Sequence, residues 1–148
     1  MSITLTDQKK VLAFGIEGYE YPDEKTSAPD DYNYDANWLN VWFEWTDGKS
    51  SDKSTDACLL TDELKGLFNS AIEIESGREN GYISDFMEPY LKVSITRSDD
   101  RFAVQVRYIY DTSSGPWKEF YVVDQLSGEA FREFCRQLGE MTEKYPVR

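Results

Sequence analysis

The chain has 148 residues, 28 of them acidic and 16 basic, for a net charge of −12, with two cysteines and no histidine. That length suits one domain, 1–148, and 4 Trp, 10 Tyr and 8 Phe can fill its core without a disulfide or metal staple. So negative a chain repels phosphate backbones and anionic membrane surfaces, which argues against nucleic-acid and membrane partners and for a basic protein partner, although acidity also serves solubility alone.

The opening residues lack the long apolar stretch of a signal peptide, and no run approaches membrane-spanning length. With the widely spaced cysteines, this reads as a cytoplasmic, reduced protein. A short strand is expected near Ile3 and a longer one over residues 11–19. Residues 21–35 form the longest connection, too long for a simple hairpin loop. Between Glu17 and Asp35 lie seven acids and one lysine, a local net of −6 and half the total charge. Charged loops carrying aromatics are either solvated surface or functional, so Asp23, Glu24, Asp30, Asp31, Tyr32, Tyr34 and Asp35 are candidate binding residues.

Residues 38–46 read as a strand, followed by the turn Asp47-Gly48-Lys49-Ser50 and a return strand towards Leu60. Leu39, Val41, Phe43 and Trp45 make its apolar face. Trp38 and Trp42 share the other face with Asn40 and Glu44, either exposed as an aromatic surface or covered by other segments. Thr61 is the expected N-cap of a helix in which Leu64, Leu67, Phe68, Ala71 and Ile72 recur at helical spacing, with Gly77 as its stop. Glu73, Glu75 and Glu79 form a second acidic stretch at the end of that helix.

Leu91, Val93 and Ile95 alternate with polar residues, and the turn Ser98-Asp99-Asp100 leads to Phe102, Val104, Val106, Tyr108 and Tyr110 on one face. A last strand covers residues 119–123, after the loop Ser113-Ser114-Gly115-Pro116. Ser127 caps a second helix with the stripe Phe131, Phe134, Cys135, Leu138 and Met141, closed by Pro146. Cys58 and Cys135 read as small buried hydrophobes, with a disulfide or reactive thiol as the alternative. The fold class is α+β: meandering antiparallel strands with two helices packed on the sheet.

Without histidine there is no Ser-His-Asp triad, no Cys-His pair and no His-based metal site, and two scattered cysteines build no zinc or iron–sulfur centre. Nucleotide-cradling and hydrolase-elbow motifs are missing. Asp31-Tyr32-Asn33-Tyr34-Asp35 matches the first half of an EF-hand loop, but Ala36 stands where Gly is needed and Trp42 where the bidentate Glu belongs. No catalytic residues, metal or cofactor are therefore assigned, and the expectation is a protein that works by binding.

Asp35-Ala36-Asn37-Trp38-Leu39-Asn40-Val41 resembles the D-x-N-W-L-x-V strand opening of the WapI-type immunity proteins of bacterial contact-dependent and polymorphic toxin systems. Leu60-Thr61-Asp62-Glu63-Leu64 with Leu67 is similar to that family's strand-to-helix junction, and the size, late strand pair and closing helix also fit. The resemblance implies a non-catalytic cytoplasmic protein that binds and neutralises the C-terminal toxin domain of a cognate secreted effector. A toxin with a basic, phosphate-binding cleft such as a nuclease would complement the acidic surface. Two other readings stay open: a carbohydrate or small-ligand module using Trp38 and Trp42, and a structural or regulatory interaction domain without a toxin partner.

Overall fold

The structure is a computed structural model that describes residues 2–110 and 116–148, the side chain of Tyr110 excepted. Two four-stranded antiparallel meanders each end in a helix. The first comprises β1 (Ile3–Asp7), β2 (Lys10–Tyr19), β3 (Trp38–Thr46) and β4 (Ser51–Leu60), in that spatial order, followed by α1 (Thr61–Glu75). The second comprises β5 (Gly81–Ile83), β6 (Leu91–Ser98), β7 (Arg101–Tyr110) and β8 (Lys118–Ser127), followed by α2 (Gly128–Lys144). The α+β class holds, with the meander divided between two sheets. Strand β5 has no counterpart among the elements expected from sequence, because three residues are too few to show alternation.

The period-2 pattern decides which face of each strand is buried. Leu39, Val41 and Phe43 of β3 are buried, as are Leu91, Val93 and Ile95 of β6 and Phe102, Val104, Val106 and Tyr108 of β7. These faces meet each other: the Phe43 and Tyr108 rings stack at 3.8 Å between centroids, and Trp45 packs on Phe120 at 4.8 Å. The apolar stripe of α2 joins the same core through Phe131, stacked on Phe102 at 4.1 Å. Every residue of that stripe is buried, and Ser127 caps the helix as expected, its hydroxyl accepting from the Ala130 amide at 3.2 Å.

Helix α1 differs at its start. The N-cap is Leu60 rather than Thr61, and Glu63 reaches back so that its Oε1 accepts from the Leu60 amide at 3.0 Å. Thr61 is buried within the first turn and donates its hydroxyl to Asn37 Oδ1 at 2.5 Å. Asn37 draws the threonine hydroxyl away from the role a cap would give it. At the other end the helix closes at Glu75, and Gly77 takes φ +84°, the left-handed turn that favours glycine. Where the helices cross, a Cβ on Gly139 would lie 3.0 Å from the Phe68 ring, so glycine there permits the close approach.

Strand β8 lies beside the outer edge of β1, where Asp124 Oδ2 accepts from the Thr6 amide at 2.9 Å. Both cysteines are free and buried. Burial pushes both thiols up, Cys135 to about 12, which suits packing and not reactivity. Strand β8 extends past the expected 119–123 at both ends. Of the loop before it, Ser113, Ser114 and Gly115 lie outside the described residues.

Candidate functional site

Residues 21–35 make hydrogen bonds both within the loop and to the residues around it. Ala28 and Asp31 bridge each other at 3.1 Å in both directions, and the Asn33 amide donates to Ser27 Oγ at 2.9 Å. A short 3-10 turn, Asp35–Asn37, then leads into β3. Its last residue, Asn37, is fully buried, and its amide donates to the carbonyls of Asn33 at 2.8 Å and Arg148 at 2.7 Å. The Asn-Trp step of the sequence motif is therefore a joint between loop, helix α1 and the segment that follows α2.

On the outer side, the loop's aromatics lean against the start of α1. Tyr32 donates its hydroxyl to Asp62 Oδ1, and Tyr34 meets Tyr32 edge-on at 4.7 Å. Burial, then the hydrogen bond to Asp62, pushes the Tyr32 hydroxyl well above its ordinary range, so it stays a donor. Across from them, Glu63 Oε2 accepts from the Met87 amide at 2.6 Å and fixes the segment after β5.

Between these walls lies a cleft of about 560 Å³ lined by Tyr32, Tyr34, Leu60, Asp62, Glu63, Asp85, Phe86 and Met87. Three carboxylates and no base line it, and Tyr34 and Met87 are 48% and 55% exposed. Burial raises the Glu63 carboxyl above its usual range although two backbone amides oppose the shift.

Asp23, Glu24, Asp30, Asp31 and Asp35 are all exposed, and among the described residues none lies within ion-pair distance of a base. The Glu24 carboxylate accepts from the Asn33 side-chain amide at 3.1 Å. Glu73, Glu75 and Glu79 sit elsewhere, at the far end of α1, roughly 20 Å along the helix from Asp62. Glu73 is engaged by Arg78 at 2.6 Å, and Glu75 lines a separate groove of about 420 Å³ between the helices. That groove has an apolar floor and a rim of both charges, including Arg132, Arg136, Glu140 and Glu143.

Trp38 and Trp42 are half-buried on the outer face of the first sheet, where Trp42 stands in register with the buried Gly15. The structure thus brings Tyr32 and Tyr34 together with Asp62, Glu63, Asp85, Phe86 and Met87, which sequence reasoning had not joined to them. In the sequence Asp62 and Glu63 stand out only as part of the junction Leu60-Thr61-Asp62-Glu63-Leu64. Nothing in the local pattern marks Asp85, Phe86 or Met87.

No cluster of three metal-ligating side chains occurs among the described residues, and no described helix is long and apolar enough to cross a membrane. Comparison with known families gives a match to the immunity protein WapI-like family over residues 3–146. The chain belongs to that family. Comparison with curated proteins finds no match. As a WapI-like immunity protein, the chain has a toxin as its general kind of partner. Of the segments that carry the sequence resemblance, residues 35–41 contain the Asn37 joint and residues 60–64 supply Leu60, Asp62 and Glu63 to the cleft.

Proposed function

We infer that this protein is a non-catalytic cytoplasmic immunity protein that neutralises the toxin domain of a cognate secreted effector by binding it. The loop of residues 21–35 and the cleft beside it form the face that meets the toxin. The observation that carries this reading is the base-free cleft, where exposed Tyr34 and Met87 stand among Asp62, Glu63 and Asp85. Aromatic and methionine side chains supply contact area at interfaces, while carboxylates without an ion-pair partner steer and orient a basic partner. A nuclease toxin suits the surface, since a cleft built for phosphate is basic.

Growth protection tests the reading. Co-expressed with the toxin domain, the protein is expected to protect in proportion to its amount, with full protection near one equivalent, whereas an enzyme that inactivated the toxin would protect at far less. The double reversal Asp62→Lys with Asp85→Lys is expected to abolish protection in a protein that still folds. Full protection by that variant would remove the cleft from the interface.

A further inference from the structure

We propose that Arg148 is a positioning residue that orders the acidic loop for its partner without neutralising it. The inference rests on the reading of that loop as the toxin-facing surface. Arg148 Nε donates to the Ala36 carbonyl at 2.8 Å, Nη1 to Pro22 O at 2.9 Å and Nη2 to Tyr21 O at 2.9 Å. Its backbone amide donates to Asn37 Oδ1 at 2.8 Å, and its carbonyl accepts from Asn37 Nδ2 and from Ser27 Oγ, both at 2.7 Å. The guanidinium lies 3.8 Å over the Tyr19 ring, whose hydroxyl donates to the Pro146 carbonyl at 2.7 Å. One residue thus grips the beginning and middle of the loop and the 3-10 turn that closes it.

What the guanidinium avoids is as informative as what it holds. Seven acids lie between Glu17 and Asp35, yet among the described residues none comes within ion-pair distance of Arg148. An arginine fork paired with carboxylates would order the loop and cancel its charge together. Spent on carbonyls, it orders the backbone and leaves the carboxylates open to the partner's bases. A loop fixed beforehand loses less conformational entropy on binding, so the complex is tighter than the same charges on a mobile loop would give.

The test separates order from charge. In Arg148→Ala, amide exchange at Ala28, Asp31, Asn33 and Asn37 is expected to accelerate by about tenfold or more, while amides of β3 such as Val41 and Phe43 hold their protection. Binding is then measured with the toxin domain used for growth protection. Coulomb attraction alone predicts tighter binding, because the variant is one unit more negative. Lost ordering predicts affinity weakened about tenfold, mainly through faster dissociation, at an unchanged salt slope.

Unchanged exchange overturns the ordering role. Faster exchange with equal or tighter binding overturns the positioning role alone, leaving the surface itself to be judged by the Asp62 and Asp85 reversal. If Arg148→Ala does not fold, Ser27→Ala cuts the same network inside the loop and is expected to speed exchange at Asn33 and weaken binding in the same sense. The opposite result in that variant counts equally against the proposal.

Discussion

At the scale of single residues, Asn37 shows how one polar side chain can join three segments. It is buried, and its amide and carbonyl serve Asn33, Thr61 and Arg148, so removal strands several partners at once. Each buried group left unpaired costs about 1–3 kcal/mol, and Asn37→Ala is expected to lose about 3 kcal/mol in chemical denaturation. Phe134 works by bulk instead. Buried at 3% exposure beside Phe131, it is expected to cost about 3–5 kcal/mol when cut to Ala. A loss under about 1 kcal/mol would mean that the α2 stripe is not core.

At the scale of elements, the two ends of α1 do different work. The carboxyl-terminal end pairs Glu73 with Arg78 and stops at Gly77. The amino-terminal end has Glu63 tying the helix to the segment after β5, at the cost of partial burial. Burial is the dominant cause of its raised carboxyl, so the folded protein holds that proton to higher pH than the unfolded chain does. The stability this contributes is fully present below the ordinary value of 4.5 and is lost as pH rises through the native one. Relative to Glu63→Gln, the wild-type protein is therefore expected to lose stability as pH rises above the ordinary value of 4.5. Urea midpoints for both proteins from that value upwards check the sign. A wild-type advantage that grows with pH would show that the two amide bonds outweigh burial.

At the scale of the whole molecule, charge is distributed unevenly. Half of the net −12 lies between Glu17 and Asp35, a largely exposed segment in which, among the described residues, no acid is within ion-pair distance of a base. Reversing Asp30, Asp31 and Asp35 to Lys is expected to slow association with the toxin domain and flatten its salt dependence. The fold should shift by less than about 0.5 kcal/mol, because these side chains are exposed and make no structural ion pair. Tyr32 and Tyr34 belong to the cleft wall, and replacing them by Ala is expected to act on dissociation instead. Binding kinetics at two salt concentrations separate the two classes. Unchanged association rates in the triple reversal would clear the outer loop and leave the cleft alone as the surface.

Much of the fold follows from local chemistry. Alternation along β3, β6 and β7 and the apolar stripe of α2 depend only on which neighbouring residues are apolar, so they are legible from residue order. The Ser127 cap and the Gly77 stop are equally local. The lack of histidine and of metal-ligand spacing needs no structure at all. What residue order does not determine is which distant segments meet. The division into two sheets, the short β5, and Thr61 turned towards Asn37 instead of capping its helix all depend on contacts between residues far apart in the chain. The same holds for the candidate site. Tyr32 and Tyr34 were visible as aromatics in an acidic loop, but only the tertiary structure sets Asp62, Asp85 and Met87 opposite them and brings Arg148 back to the loop it holds. Composition and periodicity report what a segment must bury or expose, whereas a binding surface is made by packing segments whose separation in sequence carries no trace of their separation in space.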